Sequence, residues 1–255
     1  MENIKKNWKF LLFVCLIGLV GGFFTSFYIL EMLNEAQLAP AVEKVGSVTA
    51  LQFIAVLQTT IYAAIFGFFG LILSHKAGLW KPISFQRLTV AKVAALSVVL
   101  GVVVAIIDSQ VFASMIPQVA AETQNAPSFP KIAAAFTYGA VVEEVMLRLF
   151  FMSLLAFGIY KLFYRKEESV PVKVLSVSNI LAATLFALGH LPATSAFYGE
   201  LTNPIVIRCM LFNGGFGLLF GYFYRRHGIH YAMLSHFGAH VGMITVNTFI
   251  FLMAK

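Results

Sequence analysis

The sequence predicts an all-α fold, a polytopic bundle of about seven helices that cross a membrane. Composition, the length of the apolar runs and the charges of the loops all predict it. Of the 255 residues, 60% are hydrophobic and only 11% are charged, whereas soluble domains carry about 25% charged residues. A soluble chain of this size could not hide so much apolar surface, so the lipid bilayer must serve as part of its solvent.

Seven apolar runs are long enough to cross a bilayer, which takes about 20 helical residues. The predicted spans lie near residues 8–30, 51–74, 90–116, 132–160, 179–198, 204–224 and 229–253. The first run is longer than a signal-peptide core and no A-x-A-like cleavage site follows it, so we expect it to stay as a span. We predict a single membrane domain over 1–255, in which 1–130 carries no motif and 131–255 forms the motif-bearing core.

Basic loops alternate with loops that are poor in Lys and Arg. One set, together with the N-terminal tail, contains Lys76, Lys81, Arg87, Lys161, Arg165, Lys166, Lys173, Arg225 and Arg226. The other set contains Glu31, Glu35, Glu43, Lys44, Glu122 and Glu200, with Lys131 at the edge of the loop that holds Glu122. The positive-inside rule then predicts that the N-terminus is inside and that Lys255 is outside. The net charge of +7 thus reflects topology, and no basic-aromatic module indicates a nucleic-acid partner.

Two features of the apolar runs have a structural interpretation. Cys15 and Cys209 both lie inside such runs, so we expect small core residues and no disulfide. Two glycine pairs with small-xxx-small spacing predict close contacts between helices. They are Gly18 with Gly22 and Gly217 with Gly221.

Three apolar spans carry ionisable residues, and these are the candidate site. A charged group at the centre of a span costs roughly 2.5–3.5 kcal/mol, so such groups usually mark function. They are Glu143, Glu144 and Arg148 in the fourth span, His190 in the fifth, and His236 and His240 in the seventh. If the fifth helix begins at Asn179 as its N-cap, the rise of a helix puts all of them near the bilayer midplane.

Helical spacing suggests different tasks for the two carboxylates. Glu144 and Arg148 are separated by four residues and can pair on one face as structural support. Glu143 points about 100° away from Glu144 and is left as the freer carboxylate, suited to a base. Asp108 lies near the outer end of its span, and we expect it to be solvated at the interface. His75, His227 and His230 lie at the inner edge and are expected to be ordinary.

The three histidines leave two interpretations open. Phe186 and His190 are one turn apart, and Pro192 frees backbone carbonyls beside the imidazole. His236 and His240 share one helix face, where they could form a two-ligand metal clip. They could instead donate hydrogen bonds to an oxyanion. The stretch lacks the Glu of H-E-x-x-H, because Phe237 stands there.

At these residues the chain resembles the CAAX prenyl endopeptidase and bacteriocin-processing membrane proteins, the CPBP or Abi family. That family carries E-E-x-x-x-R, F-x-x-x-H and H-x-x-x-N on successive core helices. Here they stand as Glu143-Glu144-Val145-Met146-Leu147-Arg148, Phe186-Ala187-Leu188-Gly189-His190 and His236-Phe237-Gly238-Ala239-His240. The resemblance covers roughly 130–245. One position departs from the pattern, because His240 replaces the usual Asn. Neutral His still donates one hydrogen bond, so the role is either kept or altered in pH dependence or metal binding.

The resemblance implies a glutamate-type intramembrane endopeptidase that acts on a membrane-associated peptide or protein. Glu143 and His190 would hold and deprotonate a water molecule, and His236, helped by His240, would stabilise the oxyanion. Glu144 and Arg148 would be structural support, and no cofactor is needed. The short loops and small size suggest a multi-pass protein of a bacterial cytoplasmic membrane.

Three alternatives stay open at this point. Some relatives look like non-catalytic scaffold, immunity or regulatory proteins of the same family. A zinc protease would use Glu143, His190, His236 and His240 as ligands. A transporter is less well supported, because no inverted repeat is visible.

Overall fold

The computed structural model describes residues 2–254, so the predicted position of Lys255 lies outside the described residues. Within that range the chain forms helices, turns and short connections, with no strand. Six α-helices are long and apolar enough to cross a membrane. The predicted all-α class of the fold is therefore confirmed. Cys15 and Cys209 are free thiols, as expected.

Eight helices build the bundle, and we number them in chain order. They are α1 (Trp8–Met32), α2 (Glu35–Val45), α3 (Val48–Lys76), α4 (Arg87–Met115), α5 (129–163), α6 (Val172–Tyr198), α7 (Asn203–His227) and α8 (Ile229–Met253). Two short helices, Glu2–Lys6 and Pro117–Thr123, lie outside this numbering. Helix α2 is short and mostly exposed. The other seven correspond in order to the seven predicted spans.

Helix α5 is not a regular α-helix. Its middle consists of two π-helical segments, Ala135–Glu143 and Val145–Met152, between α-helical ends. It is not one of the six helices described above as long and apolar enough to cross a membrane. The fourth predicted span is therefore a continuous helical run of mixed geometry. Nothing in its residue pattern distinguishes a π-helix from an α-helix.

The predicted start of the fifth span is wrong. Helix α6 begins at Val172 after Pro171, seven residues before Asn179. Proline suits a helix start because it lacks an N–H that would in any case go unpaired there. Asn179 is not a cap, since its side-chain amide donates to the carbonyl of Leu218 at 3.0 Å and ties α6 to α7.

Helix α5 lies at the centre of the bundle, packed against α1, α3, α6 and α8. Its residues Val142, Val145, Leu149 and Met152 are fully buried. The division of the chain at residue 130 stays a prediction. The outer helix surfaces expose large apolar side chains, as contact with lipid requires. Examples are Phe53, Phe69, Leu96, Val99, Ile180 and Phe249.

Both predicted glycine pairs lie at close helix contacts. A Cβ added at Gly18 would lie 2.6 Å from that of Ala63, which brings α1 against α3. A Cβ at Gly217 would lie 3.0 Å from Ala183, and one at Gly221 would overlap the Asn179 side chain. These contacts fix α7 against α6.

The helix ends that are rich in Lys and Arg lie at one end of the bundle. We call the end that carries Lys76, Lys161, Arg225 and Arg226 the basic end. At that end the ammonium of Lys81 donates to the backbone carbonyl of Arg226 at 2.8 Å. At the opposite end Gln118 donates to the carbonyl of Tyr198 at 3.1 Å.

Candidate active site

Glu143 and Glu144 stand where the two π-helical segments of α5 meet. Glu143 ends the first segment, and Glu144 is the single residue before the second. A π-helical turn in a longer helix often occurs at a functional site. The two side chains go to different environments, because that of Glu144 is fully buried and that of Glu143 is 15% exposed.

Glu144 and Arg148 form the ion pair that their spacing predicts. The guanidinium Nη1 of Arg148 lies 3.2 Å from Glu144 Oε1, and both side chains are buried. Arg148 Nη2 also donates to the carbonyl of Gly217 at 3.0 Å. The guanidinium lies 4.6 Å from the ring centroid of Phe186 and 5.4 Å from that of Phe220. Arg148 thus joins α5 to α6 and α7 through charge, hydrogen bonding and cation–π contact.

His190 turns one nitrogen to its own helix and the other to Glu143. Its Nδ1 lies 2.8 Å from the carbonyl oxygen of Phe186. A carbonyl only accepts, so Nδ1 carries the proton, and in the neutral ring Nε2 bears a lone pair. That Nε2 lies 3.8 Å from Glu143 Oε1. Two acceptors therefore face each other, and a water molecule that donates to both would satisfy them.

His236 is oriented in the same sense by a carboxylate. Its Nδ1 lies 2.9 Å from Glu144 Oε1, which accepts a hydrogen bond from the Nδ1–H group. Its Nε2 lies 4.0 Å from Glu143 Oε2. Neutral His236 therefore offers a lone pair on the side of Glu143, and it becomes a donor there only as an imidazolium.

His240 stacks on His236 one turn further along α8. The ring centroids are 4.8 Å apart and the planes make an angle of 21°. On the other side, Phe220 stacks on His236 at 4.4 Å and 21°. The imidazole of His236 is thereby held flat between two rings.

Gly139 brings the backbone of α5 close to these two histidines. A Cβ at this position would lie 3.0 Å from His240 Nε2 and 3.7 Å from His236 Nε2. Gly139 lies four residues before Glu143 on α5, so the lack of a side chain there lets α5 pack closely against His240.

Three residues of this environment were not identified from the sequence. They are Phe220, the glycine at 139 and the Gly217 carbonyl that binds Arg148. None is titratable, so the rule that finds costly buried charges cannot find them. The position of Phe220, sixteen residues before His236, gives no indication that the rings meet.

Asp108 forms an ion pair with Arg208, which corrects the expectation that it is a solvated residue at the interface. Its two carboxylate oxygens accept from Nε and Nη2 of Arg208, each at 2.6 Å. Both side chains are about one-fifth exposed, at 22% and 19%. Arg208 also lies in an apolar helix, so the cost of burying a charge applies to it as it does to Glu143. A bidentate pair explains why α4 and α7 tolerate these charges.

Two of the histidines expected to be ordinary, His75 and His230, are bonded to backbone carbonyls. Nδ1 of His75 lies 2.7 Å from the carbonyl of Leu71, and its ring stacks on Trp80. Nε2 of His230 lies 2.9 Å from the carbonyl of Ser84. These contacts fit the expectation of ordinary roles.

The geometry of the site can be compared with that of a metal centre. Among residues 2–254, no group of three or more His, Cys, Asp or Glu side chains is arranged to hold a metal ion. The predicted lack of a cofactor and the possibility of zinc both stay predictions.

Fold and site together define an integral multi-pass membrane protein with a carboxylate and imidazoles gathered among its helices. Residues 125–242 match the family model described as Rce1-like, type II CAAX prenyl endopeptidase Rce1-like. This match confirms the resemblance found in the three motifs, all of which it includes. No match to the chain was found among curated proteins or among solved structures.

At family level, this match indicates a CAAX protease-type intramembrane endopeptidase, that is, a hydrolase. A membrane-associated substrate and a lipid bilayer fit both the family and the apolar helices.

Proposed function

We propose that this chain hydrolyses a peptide bond of a membrane-associated peptide or protein with a water molecule activated by Glu143 and His190. One observation carries the proposal. The Glu143 carboxylate lies within 4.0 Å of Nε2 of both His190 and His236, while each Nδ1 is engaged elsewhere. A carboxylate beside the oriented lone pair of His190 is the arrangement that a general-base hydrolysis requires, and His236 is close enough to act on the same substrate carbonyl.

In the proposed first step, water lies between Glu143 Oε1 and His190 Nε2 and donates to both. Glu143 takes one proton as the water oxygen attacks the substrate carbonyl carbon. The oxyanion that forms needs donors, because its charge develops in a site screened from bulk water. Protonated Glu143 then delivers its proton to the leaving nitrogen. The water thus supplies its oxygen to the new carboxyl group.

His240 and His236 are the proposed donors to the oxyanion. Neutral His240 retains one N–H. His236 donates from Nε2 once it holds a second proton, and the Glu144 carboxylate at Nδ1 stabilises that imidazolium. Two carboxylates and one guanidinium give the cluster a net charge of −1, so it can take up one proton. One added proton makes it neutral.

Terminal-peptide mass spectrometry of membranes tests the proposal, because it detects cleavage in any membrane protein and requires no chosen substrate. Cells that express the wild type would be compared with cells that express Glu143→Ala, Glu143→Gln or His190→Ala. The matched control is Glu168→Ala, in the exposed loop after α5. We expect new peptide termini in the wild type and the control, and their loss in the three site variants. The same termini in all variants would contradict the peptidase and favour a non-catalytic membrane protein of this family.

Zinc is a second candidate because both histidines turn Nε2 toward Glu143, although no group of three ligands among residues 2–254 is arranged to hold a metal ion. The Nδ1 of His190 is bonded to a carbonyl and that of His236 to a carboxylate. Histidines that bind a metal through Nε2 are commonly oriented by the same kind of bond. Metal analysis of the purified protein, followed by a cleavage assay with a chelator, distinguishes the two. Cleavage that survives the chelator in metal-free protein supports the glutamate mechanism, and reversible loss supports zinc.

We also propose that the basic end faces the cytoplasm of a bacterial cell. The support is the concentration of Lys and Arg at one end of the bundle. The N-terminus, which precedes α1 at that end, would then be inside.

A further inference from the structure

A polar cavity of about 390 Å³ lies at the basic end, away from Glu143. It is formed where α4 begins, α7 ends and α8 begins. Its lining includes Lys81, Ser84, Gln86, Arg226, His227 and Tyr231. The proposed peptidase reaction uses none of these residues.

The charges of the lining all have one sign. Lys81 and Arg226 are cations, and no carboxylate lines the cavity. Lys81 Nζ gives one hydrogen bond to the carbonyl of Arg226, and two of its three N–H donors remain. Such a pair of cations without a counter-ion attracts an anion.

Neutral donors add to this attraction. The phenol oxygen of Tyr231 accepts from the backbone N–H of Gln86 at 3.0 Å, so its own O–H proton is free to donate to a ligand. Tyr231 thus adds a neutral donor to the two cations of the lining.

Two exposed apolar side chains stand close in the chain to the residues that line the cavity. Phe85 lies in the segment that lines it, is 64% exposed, and contacts the ring of Tyr231 at 6.2 Å. Leu88, in the first turn of α4, is 68% exposed. Exposed aromatic and aliphatic side chains beside cations are typical of the boundary between headgroups and acyl chains.

We propose that this cavity binds the phosphate of an anionic glycerophospholipid, whose acyl chains lie along Phe85 and Leu88. The cations and the phenol match the phosphate oxygens, and the all-positive lining disfavours a zwitterionic headgroup. Free inorganic phosphate shares the same chemistry, but it would leave these two apolar side chains without a role. Basic cavities between helices at the cytoplasmic side are a known form of headgroup site.

Thermal unfolding of the purified full chain in detergent tests the proposal. Phosphatidylglycerol, phosphatidylcholine or sodium phosphate would be titrated, because a ligand that binds the folded state raises Tm. We expect phosphatidylglycerol to raise Tm and phosphatidylcholine to have little effect. In Lys81→Gln/Arg226→Gln, the concentration needed for the same rise should increase roughly tenfold or more.

The matched control is Arg165→Gln/Lys166→Gln, which removes the same charge from an exposed loop at the same end. It should respond to phosphatidylglycerol as the wild type does. Arg226→Gln alone, at an exposed side chain, provides a second variant if the double one folds poorly. Equal losses in the cavity and control variants would reduce the effect to general charge and overturn the site. A rise in Tm with sodium phosphate and none with phosphatidylglycerol would overturn the lipid assignment.

Discussion

Gly139 illustrates how a missing side chain shapes the candidate site. Its absent Cβ would stand 3.0 Å from His240 Nε2, tighter than most contacts of a real Cβ. We therefore expect Gly139→Ala to lower the yield of new peptide termini, because the imidazole of His240 must shift by a few tenths of an ångström in a site whose geometry matters.

Gly158, on the same helix, provides the control for this prediction. A Cβ there meets nothing within 4 Å, so Gly158→Ala should keep both the fold and the proposed activity. Equal yields of new peptide termini from the two variants, measured by mass spectrometry, would show that the close contact between position 139 and His240 does not affect activity.

Glu144 serves two partners, and its removal should harm stability as well as activity. Glu144→Gln leaves the buried Arg148 without its counter-charge and His236 Nδ1 without its carboxylate. Breaking a buried pair from one side costs roughly 3–5 kcal/mol. We expect a clearly lower Tm in detergent, together with loss of cleavage.

Two comparisons interpret that result. Glu168→Gln, in an exposed loop, should leave Tm unchanged. Glu143→Gln should lose cleavage with a smaller change in Tm, because among residues 2–254 no guanidinium lies within 4.0 Å of the Glu143 carboxylate. A Glu144→Gln protein as stable as the wild type would contradict the structural role of the ion pair.

At the scale of elements, α4 and α8 approach so closely that their backbones nearly touch. A Cβ at Gly101 would overlap the carbonyl of Ala239, and one at Gly242 would overlap that of Val98. Between these helices, the hydroxyls of Ser97 and Ser235 are 2.7 Å apart and share a buried hydrogen bond. Ala239 precedes His240, so this contact also sets the position of the histidine.

Gly101→Ala should force the two helices apart. Overpacking of this kind typically costs about 1–3 kcal/mol, measured here as a lower Tm in detergent. Gly215→Ala on α7 is the control, since its added Cβ would meet nothing within 4 Å. If both variants unfold at the same temperature, the close approach of α4 and α8 does not constrain the fold.

Helix α5 shows the limit of reading elements from a pattern. The apolar run at 132–160 predicts a helix, and the helix is present, but its π-helical segments set the directions of Glu143 and Glu144. Which turns become π-helical also depends on the contacts of their side chains, such as those of Glu144 with Arg148 and His236. Similarly, Asn179 has the type of an N-cap residue, yet its partner is on α7.

For the whole molecule, the alternation of loop charge predicts one orientation in the membrane. Single cysteines would replace Lys166 at the basic end and Glu200 at the opposite end, in a protein whose Cys15 and Cys209 are changed to Ala. We expect a membrane-impermeant thiol reagent to label position 200 in intact cells, and position 166 only after the membrane is opened. The reverse labelling would place the N-terminus outside and contradict the proposed orientation.

The sequence by itself determined that the protein spans a membrane as an all-α bundle, and which few residues are worth testing. It could do so because burying charge in an apolar helix is costly, so Glu143, Arg148 and the histidines stand out wherever they point. Tertiary structure alone decided the partners, since contacts between helices depend on crossing positions that one chain's periodicity does not contain. It pairs His236 with Glu144 and Asp108 with Arg208, and it packs Gly139 closely against His240.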